Sequence, residues 1–134
     1  MDFLQRDLEL HQNQPIKVIL SHQPSWLMPA ILQNPHFPLH ELAKKYGVRY
    51  IISGHLHQLL HADLEGVTYL SMPSSGGHLR GSGKYEDGAF FGHAFVESRG
   101  NQLDLKIEEL KPPLGQGRIS RPADWGTAGL RRLQ

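Results

Sequence analysis

Nine histidines in 134 residues, with no cysteine, make imidazole the chain's main means of holding a metal ion or moving a proton near neutral pH. They concentrate best in Ile51-Ile52-Ser53-Gly54-His55-Leu56-His57, an apolar run that passes through glycine into His-x-His. In an extended chain, residues two apart point to the same side with Cα atoms about 6.5–7 Å apart, so His55 and His57 can converge on one ion or on two neighbouring ions. Gly54 lets backbone approach closely at a strand end, where open α/β sheets put their ligands. A second apolar run, Ile16-Lys17-Val18-Ile19-Leu20, ends in Ser21-His22-Gln23-Pro24, so a third imidazole, His22, leaves from an equivalent end. A His-x-His pair alone is common and usually binds nothing. The buried strand and glycine before it, together with the matching end of the other strand, are what point to a metal site.

The elements that must position these histidines follow from periodicity. Residues 2–11 set Phe3, Leu4, Leu8 and Leu10 among charges, a short amphipathic helix that Asp2 can cap. Residues 16–20 and 49–53 have the β-branched content of strands buried on both faces. Four prolines in 21–38 leave room for no more than one turn near residues 27–32, and Pro38 then opens a helix through Tyr46 that Gly47 stops. Strand, helix-bearing connection and strand make a crossover unit of a parallel sheet. Beyond Gly54 the expectation is antiparallel: hairpins 58–64/67–72 around Glu65-Gly66 and 88–98/102–110 around residues 99–102, with a Gly/Ser-rich loop at 73–83 between them. Residues 112–134, rich in Pro and Gly and without an apolar period, read as a poorly ordered tail, leaving 1–111 as the domain.

VILSHQP followed by IISGHLH resembles the last two motifs of the calcineurin-like metallophosphoesterases, βαβ-sandwich hydrolases with a dinuclear metal centre. The short helix before the first motif fits as well, and the resemblance spans roughly residues 3–110. It implies that His22 and His55 ligate one metal ion and His57 the other. The family's earlier motifs, an Asp-x-His, a Gly-Asp with the bridging carboxylate and an Asn-His pair, occur nowhere in the chain. The resemblance is therefore to the C-terminal half of such an α/β domain, and no catalytic residue is assigned. Its implied cofactors are divalent ions (Mn, Fe or Zn), two in the complete domain and at most one, weakly, here. The implied activity is hydrolysis of phosphomonoesters or phosphodiesters, dependent on the missing half.

The other histidines invite smaller readings. His78 and Arg80, in the Gly-rich loop, could meet a substrate phosphate, Arg80 by a bidentate fork. His61 reads as a partly exposed strand residue, His93 as structural, and His11, His36 and His40 as residues of polar ends or loops. Trp26 and Phe37 read as packing under the Pro-rich segment. A net charge of +1 gives no polycationic surface for nucleic acid, and the absence of cysteine excludes thiolate catalysis and Cys-ligated zinc. No apolar run approaches the ~20 residues of a membrane span, which makes a cytoplasmic protein the expectation. A different class remains open: a noncatalytic, truncated remnant that binds a partner chain able to complete its sheet.

Overall fold

The computed structural model describes residues 1–79 and 83–125 and, for the backbone only, 128–130. The N-terminal helix α1 (Asp2–Leu10) buries Leu8, but its cap is Met1 without a side-chain bond, so Asp2 does not serve as the cap. Strand β1 (Val18–Ser21) is followed by the single turn α2 (Leu27–Ile31) and by α3 (Pro38–Tyr46). As anticipated, α3 starts with proline in its first turn and ends on Gly47 in the left-handed region, φ 69°. Strand β2 (Tyr50–Ser53) then pairs with β1 in parallel, from Val18↔Tyr50 to Ser21↔Ser53.

The second half departs from a purely antiparallel plan. Strands β3 (Leu60–Leu64) and β4 (Val67–Ser71) form the hairpin at Glu65-Gly66, whose φ values of 46° and 85° suit a two-residue turn that follows strand twist. Yet β4 also lies parallel to β2, from Tyr50↔Thr68 to Ser53↔Ser71, giving the order β1-β2-β4-β3, with a short strand from near the C-terminus beyond β3. A hairpin signal fixes only the pairing of its own two strands; which of them meets the older sheet is decided by tertiary packing. The strand expected at 16–20 begins at Val18 and is half-exposed rather than buried on both faces, with Leu20 75% exposed. It lies at the edge of the sheet, a position that an apolar run does not reveal.

Strands β5 (Gly92–Arg99) and β6 (Gln102–Glu109) form the second hairpin and, with β7 (Ile119–Ser120), a separate three-stranded sheet. The reading of 112–134 as a poorly ordered tail is corrected for the described part. Strand β7 pairs with β6, β8 (Ala128–Leu130) pairs with β3, and Trp125 is buried, its Nε1–H donating to Ser120 Oγ at 3.1 Å. Strands of two and three residues are too short to show a period, which is why composition alone suggested a tail.

Alternation along the strands sorts the core into two layers. Ile51 and Tyr69 face the helices with Leu8, Trp26, Ala30 and Ala43; Ile52 and Leu70 face the second sheet with Leu59, Phe90, Leu105 and Ile107. Two histidines assigned to polar or partly exposed positions belong to these layers instead. His40 is 1% exposed, its Nδ1 2.8 Å from the Tyr69 hydroxyl and its ring stacked on Phe37. Burial pushes the Tyr69 phenol well above its ordinary value, while His40 and then Lys44 hold the Glu65 carboxyl below its own. His61 is fully buried, edge-on to Trp125, with Nε2 3.3 Å from Asp63 Oδ2. A strand histidine is buried when both faces of its sheet are covered, and the covering Trp125 came from the segment read as tail.

Gly88 closes the approach to the second sheet. It sits at φ 87°, and its carbonyl accepts the Leu59 N–H at 2.9 Å. A Cβ there would overlap the Leu59 carbonyl oxygen. Gly88→Ala is therefore expected to cost at least about 1–3 kcal/mol in backbone strain. Urea denaturation reads this as a lowered midpoint; an unchanged midpoint would show that the segment from Tyr85 to Phe91 shifts freely.

Candidate metal centre

Because β1 and β2 are parallel and in register, Ser21 and Ser53 end them side by side, and Gly54 N–H extends the ladder by one bond to the His22 carbonyl at 3.1 Å. The next side chains, 33 positions apart in sequence, meet at this edge. His55 Nδ1 lies 3.2 Å from His22 Nε2, with ring centroids 5.1 Å apart at an interplanar angle of 77°. Two imidazoles on one zinc ion, with Zn–N bonds of ~2.0–2.1 Å, have ligating nitrogens about 3–3.5 Å apart. The pair thus has the spacing of two ligands of one ion. A hydrogen bond between them at this distance requires one ring to donate its N–H to the other.

The chain after Gly54 is not extended, contrary to the expectation that set His55 and His57 on one side. Leu56 N–H bonds back to the Gly54 carbonyl at 2.8 Å, and His55 and His57 have φ values of 68° and 54°. Left-handed backbone at two non-glycine residues costs energy and persists only where the surroundings over-determine it. Its effect is to part the two histidines. His55 turns to His22, whereas His57 turns to the Gly-rich loop, with Nδ1 2.6 Å from the His78 carbonyl oxygen and its ring 5.4 Å from the His78 ring.

Beneath the pair runs a hydrogen-bond chain that sequence reasoning missed. Trp26 Nε1–H, at the start of α2, donates to Ser53 Oγ at 2.8 Å; Ser53 and Ser21 hydroxyls are 2.7 Å apart; Ser21 Oγ–H donates to the Gln23 carbonyl at 3.2 Å. Since tryptophan only donates and Ser21 spends its proton on Gln23, Ser53 must donate to Ser21. The chain ties both strand ends, and the turn after His22, to a fully buried indole. The signal was legible as a serine closing each apolar run, one residue before His22 and two before His55.

The remaining candidates lie elsewhere. His93 on β5 approaches Glu108 at 3.4 Å, and His11 approaches Asp7 at 3.5 Å on α1. Arg80 falls outside the described residues. Among the described residues no group of three or more His, Asp or Glu is gathered so as to hold a metal ion. Two imidazoles at ligand spacing fall short of the three or four protein donors that a metal centre takes, so the described residues do not by themselves complete a site for one ion or for two.

No protein-family model and no curated protein matches the chain. Solved structures do. GAP50, the anchor in the inner membrane complex of Plasmodium, superposes with a TM-score of 0.66 at 17% identity, over 99% of this chain and 42% of that one. The purple acid phosphatase PPD1 from yellow lupin (Lupinus luteus) seeds superposes with a TM-score of 0.58 at 16% identity, over 90% of this chain and 27% of that one. The likeness shows the fold, which the chain shares with both proteins, and the chain spans less than half the length of either neighbour. One neighbour is a phosphatase and the other an anchor, so the fold does not decide between them. No helix among the described residues is long and apolar enough to cross a membrane.

Ser53→Ala leaves the buried Trp26 N–H without its acceptor and is expected to destabilise the chain by about 1–3 kcal/mol. The same change should broaden or move the ring signals of His22 and His55 in NMR spectra. Wild-type stability together with unmoved ring signals would show that the serine chain does not hold the pair.

Proposed function

We propose that the chain is the histidine-bearing C-terminal half of a metal-dependent phosphoesterase domain, with His22, His55 and His57 as its metal ligands. The 3.2 Å approach of His22 Nε2 and His55 Nδ1, at the common end of two parallel strands, carries this reading. The fold likeness to a phosphatase supports it. Imidazole donors suit Mn, Fe or Zn, and ions bound in a complete centre polarise phosphoryl oxygens and make water a nucleophile near neutral pH. His22 and His55 supply two lone pairs from a rigid sheet edge. His57, aimed away from them, serves a second position that needs ligands from outside this segment. On this reading His78, exposed in the loop beside His57, meets a phosphate oxygen of the substrate; its exposure and its nearness to His57 support that role.

The chain has neither the Asp-x-His, the Gly-Asp nor the Asn-His of the resembling family, so no carboxylate neutralises two neighbouring ions. Turnover of phosphomonoesters or phosphodiesters then requires an N-terminal half. A second reading, as a noncatalytic module that binds a partner chain through its sheet, is favoured by the edge position of β1 and its exposed Leu20. The likeness to an anchor protein supports it equally.

Assay with Mn and a chromogenic phosphodiester separates the readings. The chain alone is expected to give no turnover above the metal-only rate. Addition of an N-terminal half that carries the three missing motifs is expected to produce Mn-dependent turnover that His55→Ala abolishes. Turnover by the chain alone, lost on His55→Ala, would overturn the half-site account. An assembled, metal-loaded domain without turnover would favour the partner-binding module.

A further inference from the structure

We propose that Gly77 and the backbone carbonyl of His78 are positioning groups that fix the tautomer of His57, holding the proton on Nδ1 and leaving the lone pair on Nε2. The proposal rests on His57 having a chemical role, but its geometry stands without a metal ion. A carbonyl oxygen only accepts, so the 2.6 Å contact between His57 Nδ1 and the His78 oxygen requires a proton on Nδ1. A neutral imidazole with its proton there offers Nε2 as its only acceptor or ligand. Such an N–H···O=C bond is the usual means by which a protein selects the reactive nitrogen of a histidine.

A side chain at residue 77 would crowd His57 where the loop approaches it. A Cβ at Gly77 would stand 3.3 Å from His57 Cε1, 3.8 Å from Nδ1 and 3.7 Å from Ser74 Oγ. The loop is not free to retreat without consequence. Ser74 is buried, bridges Phe91, accepts Gly92 N–H on its carbonyl at 2.9 Å and accepts Gly77 N–H on Oγ at 3.2 Å. The position of the His78 carbonyl is thus set by the start of β5, and the second sheet reaches His57 through this loop.

The consequence is a division of labour within His-x-His. His55 faces its partner with Nδ1, whereas His57 keeps Nε2 for a ligand or a proton. The left-handed backbone at both residues provides the two orientations that one extended segment cannot. The His78 ring has no part in this device, because the backbone carbonyl survives any substitution of the side chain.

The test uses two-bond ¹H–¹⁵N correlation spectra of the metal-free, ¹⁵N-labelled full chain at neutral pH, with His57 assigned by its loss in His57→Gln. Wild type should show His57 as the Nδ1–H tautomer, and His78→Ala should leave that pattern intact. Gly77→Val should replace it with averaged tautomers, and Gly77→Ala should do so in part, while backbone amide spectra report that the sheets are intact. A wild-type His57 carrying its proton on Nε2 would overturn the proposal, as would an unchanged pattern in Gly77→Val. Adding Zn²⁺ separates this from the metal reading. If His57 keeps the Nδ1–H tautomer but its Nε2 ignores zinc, the positioning device stands and the ligand role of His57 falls.

Discussion

The parallel pairing of β1 with β2, in the register that sets Ser21 beside Ser53, is the constraint on which the rest of the site depends. Parallel strands end at the same edge, so two residues distant in sequence become neighbours without any local signal linking them. A slip of one residue would turn Ser53 away from Trp26 and His55 away from His22. The register is held by apolar alternation on both sides of β2, with Ile51 in the helical layer and Ile52 in the inter-sheet layer, and by the Trp26–Ser53–Ser21 chain at its end. Strain at His55 and His57 is sustained by this frame: the strand end fixes one side of the turn, and the loop from β4 to β5 fixes the other.

What could be read from the residues was whatever local chemistry dictates. The β1–α3–β2 crossover was legible because Pro38, Gly47 and two β-branched runs leave few alternatives. The approach of His22 to His55 followed from that topology rather than from the spacing of the motif. The path of His57 did not follow, since an extended continuation is the default for an apolar strand and nothing in Gly-His-Leu-His announces two left-handed residues. His40 and His61 were misplaced for a related reason. Their burial depends on Tyr69 and on Trp125, which come from elements far away in sequence. The parallel insertion of β4 and the two short strands beyond Lys111 are tertiary outcomes of the same kind.

The fold and the site speak to different questions. A three-layer arrangement of helices and two sheets is shared with a phosphatase and with an anchor protein, so it supplies a frame for either role. The imidazole pair bears more directly on a metal role than the fold does, because it sets two ring nitrogens 3.2 Å apart, within the spacing of two ligands of one ion. In His40 and His61 the ring nitrogens instead meet Tyr69 and Asp63, groups that complement an imidazole. His22 and His55 meet each other instead.

The most direct test of this account is a Zn²⁺ titration of the metal-free chain, followed through the ring nitrogens of His22 and His55. Both facing nitrogens must be bare to hold an ion, so the ring that donates before binding must move its proton to its other nitrogen. The account predicts that the two rings respond together and finish with the proton on Nδ1 in His22 and on Nε2 in His55. It also predicts that His22→Ala removes the response of His55. Zinc bound with the two rings unmoved, or moved independently of each other, would contradict it.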